Sequence, residues 1–319
     1  MPPDSRSPAV TVVVPAHDAE ATIGRTLDSL ARQRLDQPYE VVVVDDGSSD
    51  GTAAVVASAG GPVRLVEQPS PGGAAAARNR GAAEARGAVL AFTDADCFPA
   101  PDWLAAGLRC LADADLIVGA VRPEPGVECG PFERSLTVER ETGLYETANV
   151  FLRRELFERL GGFEAWIHDR GRPLSEDTWL GWRARRGGAR TAFCAAAVVE
   201  HAVLPRGARA YVAENLRRRH FPAMVERIPE LRGQFLFARW FLTRRTAAFD
   251  AALAGVAAAR LTHSPLPLAA AVPYARQVAR RALPYRRRAP LVAAVEVIAD
   301  AAGAAALLYG SVSRRTIVA

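Results

Sequence analysis

Four apolar runs, each broken off by polar or glycine-rich sequence, set the pattern of the first hundred residues. Residues 10–14 (VTVVV) are β-branched and uninterrupted, as expected of a strand covered on both faces. PAHDAE follows, and Ile23, Leu27 and Leu30 then recur at helical spacing. The alternation repeats. Residues 40–44 read as a buried strand, DDGSSDGT as a loop able to cap a helix, and 53–59 as that helix. Residues 63–67 form a third strand, the alanine-rich 74–85 a helix and 89–92 a fourth strand. Strands alternating with helices predict an α/β fold with a mostly parallel sheet, whose ligand crevice lies beyond the carboxyl ends of the strands.

Further along, 102–111 reads as a helix, with Asp102 as its N-cap, and 115–120 as a strand. Residues 138–143 and 148–152 flank an irregular segment, and the helix after it stops at a glycine pair. A charged, glycine-containing loop spans 165–173. Ser175, Thr178, Leu180 and Trp182 predict a helix that begins at Glu176 and Asp177, and residues 191–199 form a last strand delivering Glu200 and His201. From about residue 202 strand patterns give way to helical ones, so the chain divides into an α/β domain, 1–203, and a helical region, 204–319.

Charge sharpens that division. Every cation is Arg: residues 1–199 hold 21 against 28 acidic residues, a net −7, whereas 200–319 hold 19 against 7, a net +12, within an overall +5. The basic region implies an anionic partner. Phe235, Leu236, Phe237, Trp240 and Phe241 stand among Arg239, Arg244 and Arg245, a mixture suited to a membrane interface or to packing against other helices. Residues 291–309 are apolar but interrupted by Glu296 and Asp300, which predicts a surface-lying or packing helix rather than a span. At 319 residues, 50% hydrophobic, the chain can bury a sizeable core. Cys97, Cys110, Cys129 and Cys194 show no metal-type spacing and no secretion signal precedes them, so neither a disulfide framework nor a zinc site is expected, and a reducing cytosol fits.

The candidate chemistry gathers after the strands. Asp94 and Asp96, two apart at the end of the fourth, project to one side of an extended chain, and like charges so placed favour a shared cation. Mg²⁺ or Mn²⁺ suits oxygen ligands of this kind; a solvated acidic turn is the other reading. Glu176 and Asp177 admit a helix-dipole role as well as a chemical one. No GxGxxG follows the first strand, which removes a dinucleotide-dependent dehydrogenase.

Taken in order, VVVPAHDAE, VVVVDDGSSDGT, GGAAAARNRG, FTDADCFPAPDWL, ANVFLRRELFERLGGF and SEDTWLGWRARRGG resemble the family 2 glycosyltransferases, inverting enzymes of the GT-A fold. The resemblance covers about residues 10–201. It implies that Asp46 accepts hydrogen bonds from a uracil-type base, that Pro15, Ala16 and Asp18 line the nucleotide, and that Arg78 and Asn79 stand near the base and diphosphate. Asp94 and Asp96 would form the DXD motif, Asp96 binding Mg²⁺ or Mn²⁺ directly. Asp177 would be the catalytic base, supported by Glu176. His201 would be a further metal or phosphate ligand, or else a satisfied surface histidine. The partners implied are a nucleotide-diphosphate sugar and a hydroxyl acceptor, lipid-linked or not, met at the cytoplasmic face of a membrane. Such chemistry independently requires a neutralised leaving phosphate and a carboxylate base, the latter worth about 10²–10⁴ in rate.

The QXXRW motif of processive members is missing; residues 215–221 (NLRRRHF) come nearest, which favours transfer of a single sugar. A sugar-nucleotide pyrophosphorylase would want a glycine-rich basic loop where PAHDAEATIGR stands. A non-catalytic protein docking on lipid or nucleic acid would not need Asp94, Asp96 and Asp177 together, and single-strand binding would want more interleaved aromatics.

Overall fold

The valine runs become the middle of a sheet. The computed structural model describes residues 7–169 and 172–319. Two units can be distinguished: Met1–Val127 with Ser135–Val203, and Glu128–Arg134 with Leu204–Ala319.

In the first unit, β1 (Val10–Ala16), β2 (Tyr39–Asp45), β3 (Val63–Glu67) and β4 (Val89–Phe92) pair in parallel in the order β3-β2-β1-β4. Val12, Val13, Val14 and Val41 to Val44 are fully buried, because helices cover both faces. These helices are α1 (Glu20–Ala31), α2 (Thr52–Ser58) and α3 (Ala74–Ala83). On α3, Gly81 permits close approach to β1: a Cβ there would meet Val13 at 2.4 Å.

Beyond β4 the sheet is mixed. After β5 (Cys97–Pro99), α4 (Trp103–Cys110) and β6 (Leu116–Pro123), β7 (Val150–Arg153) inserts antiparallel between β4 and β6. Then come α5 (Arg154–Leu160), the hairpin strands β8 (Ile167–Asp169) and β9 (Arg172–Leu174), α6 (Glu176–Arg186) and β10 (Thr191–His201). β10 runs parallel to β6 and antiparallel to β5, with a bulge between Cys194 and Val198. Asn149 holds this region together. Fully buried, it donates to Ala120 O and Ala197 O, both at 2.8 Å, and accepts from Trp103 Nε1 at 2.8 Å. Each bond satisfies a group that would otherwise be buried unpaired.

Several expectations change. Asp102 and Ser175 occupy the N-cap positions of α4 and α6, yet neither side chain caps. Cys110 and Cys194 form a disulfide, because the end of α4 lies against β10. The expected absence of disulfides fails there, and with it the case for a reducing compartment drawn from the cysteines.

The second unit is helical: α7 (Ala208–Asn215), a 3₁₀ turn at Leu216–His220, α8 (Phe221–Arg227), α9 (Leu231–Gln234), α10 (Arg244–Thr262), α11 (Val272–Ala282) and α12 (Ala289–Arg314). By length and composition alone, residues 266–314 are long and apolar enough to cross a membrane. Their two acids nevertheless turn inward. Glu296 is fully buried between Arg245 and Arg281, each at 2.6 Å, and Asp300 meets Arg245 at 2.6 Å and Tyr274 OH at 2.9 Å. Arg245 therefore belongs to a buried charge cluster and not to an interfacial face with Arg239 and Arg244.

Candidate active site

β4 ends at Phe92, two residues short of Asp94, and the chain turns so that Cys97 N donates to Asp94 O (3.1 Å). Strand alternation therefore does not place Asp94 and Asp96. The turn gives them different neighbours, and the shared-cation argument for the pair changes with it.

Asp94 meets α3. Arg78 leaves the buried face of that helix, donates from Nη2 to Asp94 Oδ1 at 2.8 Å and from Nη1 to Glu176 Oε1 at 3.1 Å. The guanidinium is 7% exposed. Burial opposes its charge, but Asp94 and Glu176 more than restore it, and its pKa rises. One cation thus ties the end of β4 to the first turn of α6, and much of the repulsion expected of Asp94 is met by Arg78.

Asp177 follows Glu176. Burial, with Glu176 adding to it, pushes its carboxyl up to about 8, although part of its surface stays accessible. Its Oδ1 accepts from Thr178 N at 2.7 Å. α6 is anchored beneath by Thr178 Oγ1 donating to Leu144 O (2.8 Å) and Trp182 Nε1 donating to Gly143 O (2.9 Å). Tyr145 and Ser175 both sit at positive φ, 57° and 62°, where non-glycine residues are strained, a cost that tends to collect at functional sites. A Cβ on Gly181 would strike the Tyr145 ring at 2.2 Å, so the glycine is what allows the two segments to meet. Glu146, next along, is a further carboxyl raised by burial, and it adds to the upward shift of Asp177.

Asp96 meets β10. The antiparallel register sets His201 opposite Cys97, and Ala202 N donates to Asp96 O at 2.9 Å. His201 is buried, which decides against a surface histidine. Its Nδ1 bonds Ala202 O at 2.7 Å, so a neutral ring carries its proton there and turns the Nε2 lone pair towards Asp96 Oδ2, 3.6 Å away. A carboxylate oxygen and an imidazole lone pair facing each other at that distance suit a divalent cation. Cys97 shares the cluster, but burial, reinforced by Asp94 and Asp96, pushes its thiol well up and disfavours thiolate ligation. Oxygen and nitrogen donors remain; the carboxylate suits Mg²⁺ or Mn²⁺, and the imidazole favours Mn²⁺ of the two.

The ends of β1 and β2 complete the edge. Pro15 and Ala16 close β1, and Asp46 N donates to Ala16 O at 2.8 Å. Asp46 is already largely engaged within the chain. It accepts from Gln68 Nε2 at 2.5 Å, Gly72 N at 2.7 Å and Gly73 N at 2.8 Å, three of about four positions that a carboxylate offers. Asp18 Oδ1 accepts from Ser49 N (2.8 Å) and Ser49 Oγ (3.1 Å), and the backbone bond holds its carboxyl below the usual range. Asn79 is drawn elsewhere: its amide exchanges two 2.8 Å bonds with the Phe163 backbone, a job of fixing the segment after α5. Cys97, Gln68, Glu146 and the Gly72–Gly73 amides carry no sequence signal, since each enters through a turn or register.

A profile described as "Glycosyl transferase family 2" matches residues 11–167. A glycosyltransferase of Haloferax volcanii, AglE, is 30% identical over 173 residues, 50% of this chain and 57% of that protein. The pre-mycofactocin glycosyltransferase of Mycobacterium tuberculosis is 29% identical over 209 residues, 60% of this chain and 42% of that one. This chain thus spans less than two-thirds of the length of these curated relatives. Among solved structures, the mannosyltransferase PcManGT from Pyrobaculum calidifontis, in complex with GDP-Man and Mn²⁺, superposes with a TM-score of 0.63 at 28% identity, covering 93% of this chain and 87% of that one.

Proposed function

Because this chain belongs to the family 2 glycosyl transferases through residues 11–167, we propose that it transfers a single sugar from a nucleoside-diphosphate sugar to an acceptor hydroxyl, with inversion. The observation that carries the reading is the Arg78 bridge between Asp94 and Glu176, beside the raised carboxyl of Asp177. A phosphate-side centre and a base are thereby held by one buried cation.

In this reaction Asp177 takes the proton of the acceptor hydroxyl as that oxygen attacks the anomeric carbon. The bond to the diphosphate oxygen breaks on the opposite face, which inverts the centre. A carboxyl near 8 serves well here, since general-base efficiency is best when the pKa lies near the working pH. Glu176, tied to Arg78, fixes the first turn of α6 and with it Asp177. A bound divalent cation supplies charge neutralisation for the departing diphosphate. Asp96 and His201, with Asp94 at their side, would hold it.

Pro15, Ala16, Asp18 and Asp46 would line the nucleotide, Asp46 using the acceptor position left by its glycine and glutamine bonds. A uracil-type donor remains the first choice, and the GDP-mannose bound by the similar mannosyltransferase belongs in the same panel. In thermal shift, a UDP- or GDP-sugar should stabilise the protein in the presence of Mn²⁺, by about 2.7 kcal/mol at a hundred times Kd. Asp96→Ala and His201→Asn should lose that shift. An unchanged, metal-dependent shift in both would remove the cation site.

The helical unit supports work at the surface of a membrane, on a lipid-linked or surface-glycan precursor. Leu261, Leu266, Leu283 and Leu291 are well exposed, the last two flanking the exposed run Arg286 to Arg288. Each Arg near an anionic surface contributes on the order of 1 kcal/mol. Flotation with anionic vesicles should carry the full chain, and Arg286→Glu with Arg288→Glu should leave it at the bottom; equal flotation would contradict the assignment.

A further inference from the structure

The helical unit contains a cavity of about 870 Å³, within the range of about 300–1,000 Å³ typical of small-ligand sites. Its position follows from the sequence. Phe249 and Leu253 lie on one face of α10, four apart. Opposite them α12 presents Ala301, Ala304 and Ala305, whose small side chains leave the space open, and then Leu308. The residues after α12 fold back as a floor, held by Ser311 Oγ, which donates to Val318 O at 2.9 Å and accepts from Val318 N at 3.0 Å. Leu253 and Leu308 both line the cavity and are exposed, 54% and 66%, so its mouth is apolar as well.

Charge breaks this apolar lining at two places: Arg218, from the 3₁₀ turn, beside Asp300 and Gly303 at one end, and Arg315, just past the C-terminus of α12, about 18 Å further along the helix. Asp300 is already committed to Arg245 and Tyr274, and Arg218 Nη1 stands 3.9 Å from it, beyond hydrogen-bond reach. That nitrogen is buried and has no hydrogen-bond partner among the described residues, a costly state for a guanidinium. Asp250 also borders the cavity, and burial pushes its carboxyl up, towards the neutral form. An apolar chamber with an apolar mouth and an under-satisfied cation at one end is complementary to a molecule with one long apolar chain and an anionic head.

We propose that this cavity binds the hydrocarbon chain of a membrane lipid, with the lipid's anionic head on Arg218. The site stands on the helical unit alone and does not depend on the transferase reading. A chain entering through the Leu253–Leu308 mouth would cover surface that is otherwise exposed to water, and the head would supply the missing acceptor for Arg218.

The test uses the full chain and three probes: dodecyl phosphate, dodecanol and inorganic phosphate, titrated calorimetrically below the micellar concentration. Dodecyl phosphate should bind saturably at one site, dodecanol about tenfold more weakly, and inorganic phosphate not measurably. Ala305→Trp fills the chamber from an exposed position and should weaken dodecyl phosphate by about tenfold or more. Ile298→Trp, exposed and outside the lining, should not. Arg218→Gln should narrow the preference for dodecyl phosphate over dodecanol, and Arg315→Gln, at the other end of the lining, should not. Binding unchanged by Ala305→Trp, or equal for dodecyl phosphate and dodecanol in the wild type, would overturn the proposal. The Mn²⁺-dependent donor shift, measured on the same samples, should persist in every variant; its absence from the wild type would count against the transferase reading and leave the cavity result standing.

Discussion

Replacing Arg78 by Met removes the cation on which Asp94 and Glu176 converge while keeping most of the side chain's volume against Phe163, whose ring lies 5.8 Å from the guanidinium carbon. Glu176 is 10% exposed and Arg78 7%, so this bond is of the buried kind, in which losing one partner costs about 3–5 kcal/mol. Asp94, 30% exposed, can recover some hydration, and the Met side chain retains packing, which argues for the lower end, about 3 kcal/mol. For a unit of this size that is about 6–12 °C in midpoint. The effect should depend on pH in a defined direction. Without the guanidinium, which offsets part of the upward shift that burial and Glu176 impose on Asp177, the Asp177 carboxyl is pushed further up in the folded state. A carboxyl raised in the folded state binds more protons folded than unfolded, so the variant keeps its stability in acid and loses it as pH increases. Urea unfolding should therefore show a deficit that is large at pH 7.5 and smaller at pH 5, and Glu176→Gln added to Arg78→Met should restore part of it. A deficit under about 1 kcal/mol, or one that widens on acidification, would refute the claim that this cation organises the site.

In the helical unit, Arg245→Met should cost about 3–5 kcal/mol, because Glu296 and Asp300 both lose a buried partner; replacing all three by apolar residues of similar volume should be far milder, as read by thermal unfolding. Asp46→Ala should weaken donor binding chiefly by releasing the loop it holds through the Gly72 and Gly73 amides, so backbone hydrogen exchange should quicken at those two residues even without nucleotide.

Much of the first unit was legible because its signals are local. The Val63–Glu67 and Val89–Phe92 strands and the start of α6 at Glu176 follow directly from apolar runs and the acids beside them. What was not legible is long-range. Nothing in the run 150–153 says that it inserts antiparallel between β4 and β6, and the β8–β9 hairpin lies in a segment whose charge and glycine read as a loop. The bulge in β10 carries that strand two residues past its expected end, bringing His201 to Asp96. Arg78 and Glu176 are 98 residues apart, and Cys110 and Cys194 84, with no spacing rule to join them. Asp94 and Asp96, a matched pair on paper, are separated in role by that same topology: one faces α3, the other β10.

Asp177 is the residue on which the account turns, and its substitution by Asn tests it most directly. The wild-type kcat should climb with pH towards a limb near 8, as its carboxyl ionises. Asp177→Asn should lower kcat by about 10²–10⁴ and abolish that limb, while the Mn²⁺-dependent donor shift stays as in the wild type. Transfer by Asp177→Asn within a few-fold of the wild type, with the pH limb intact, would contradict the assignment of the base.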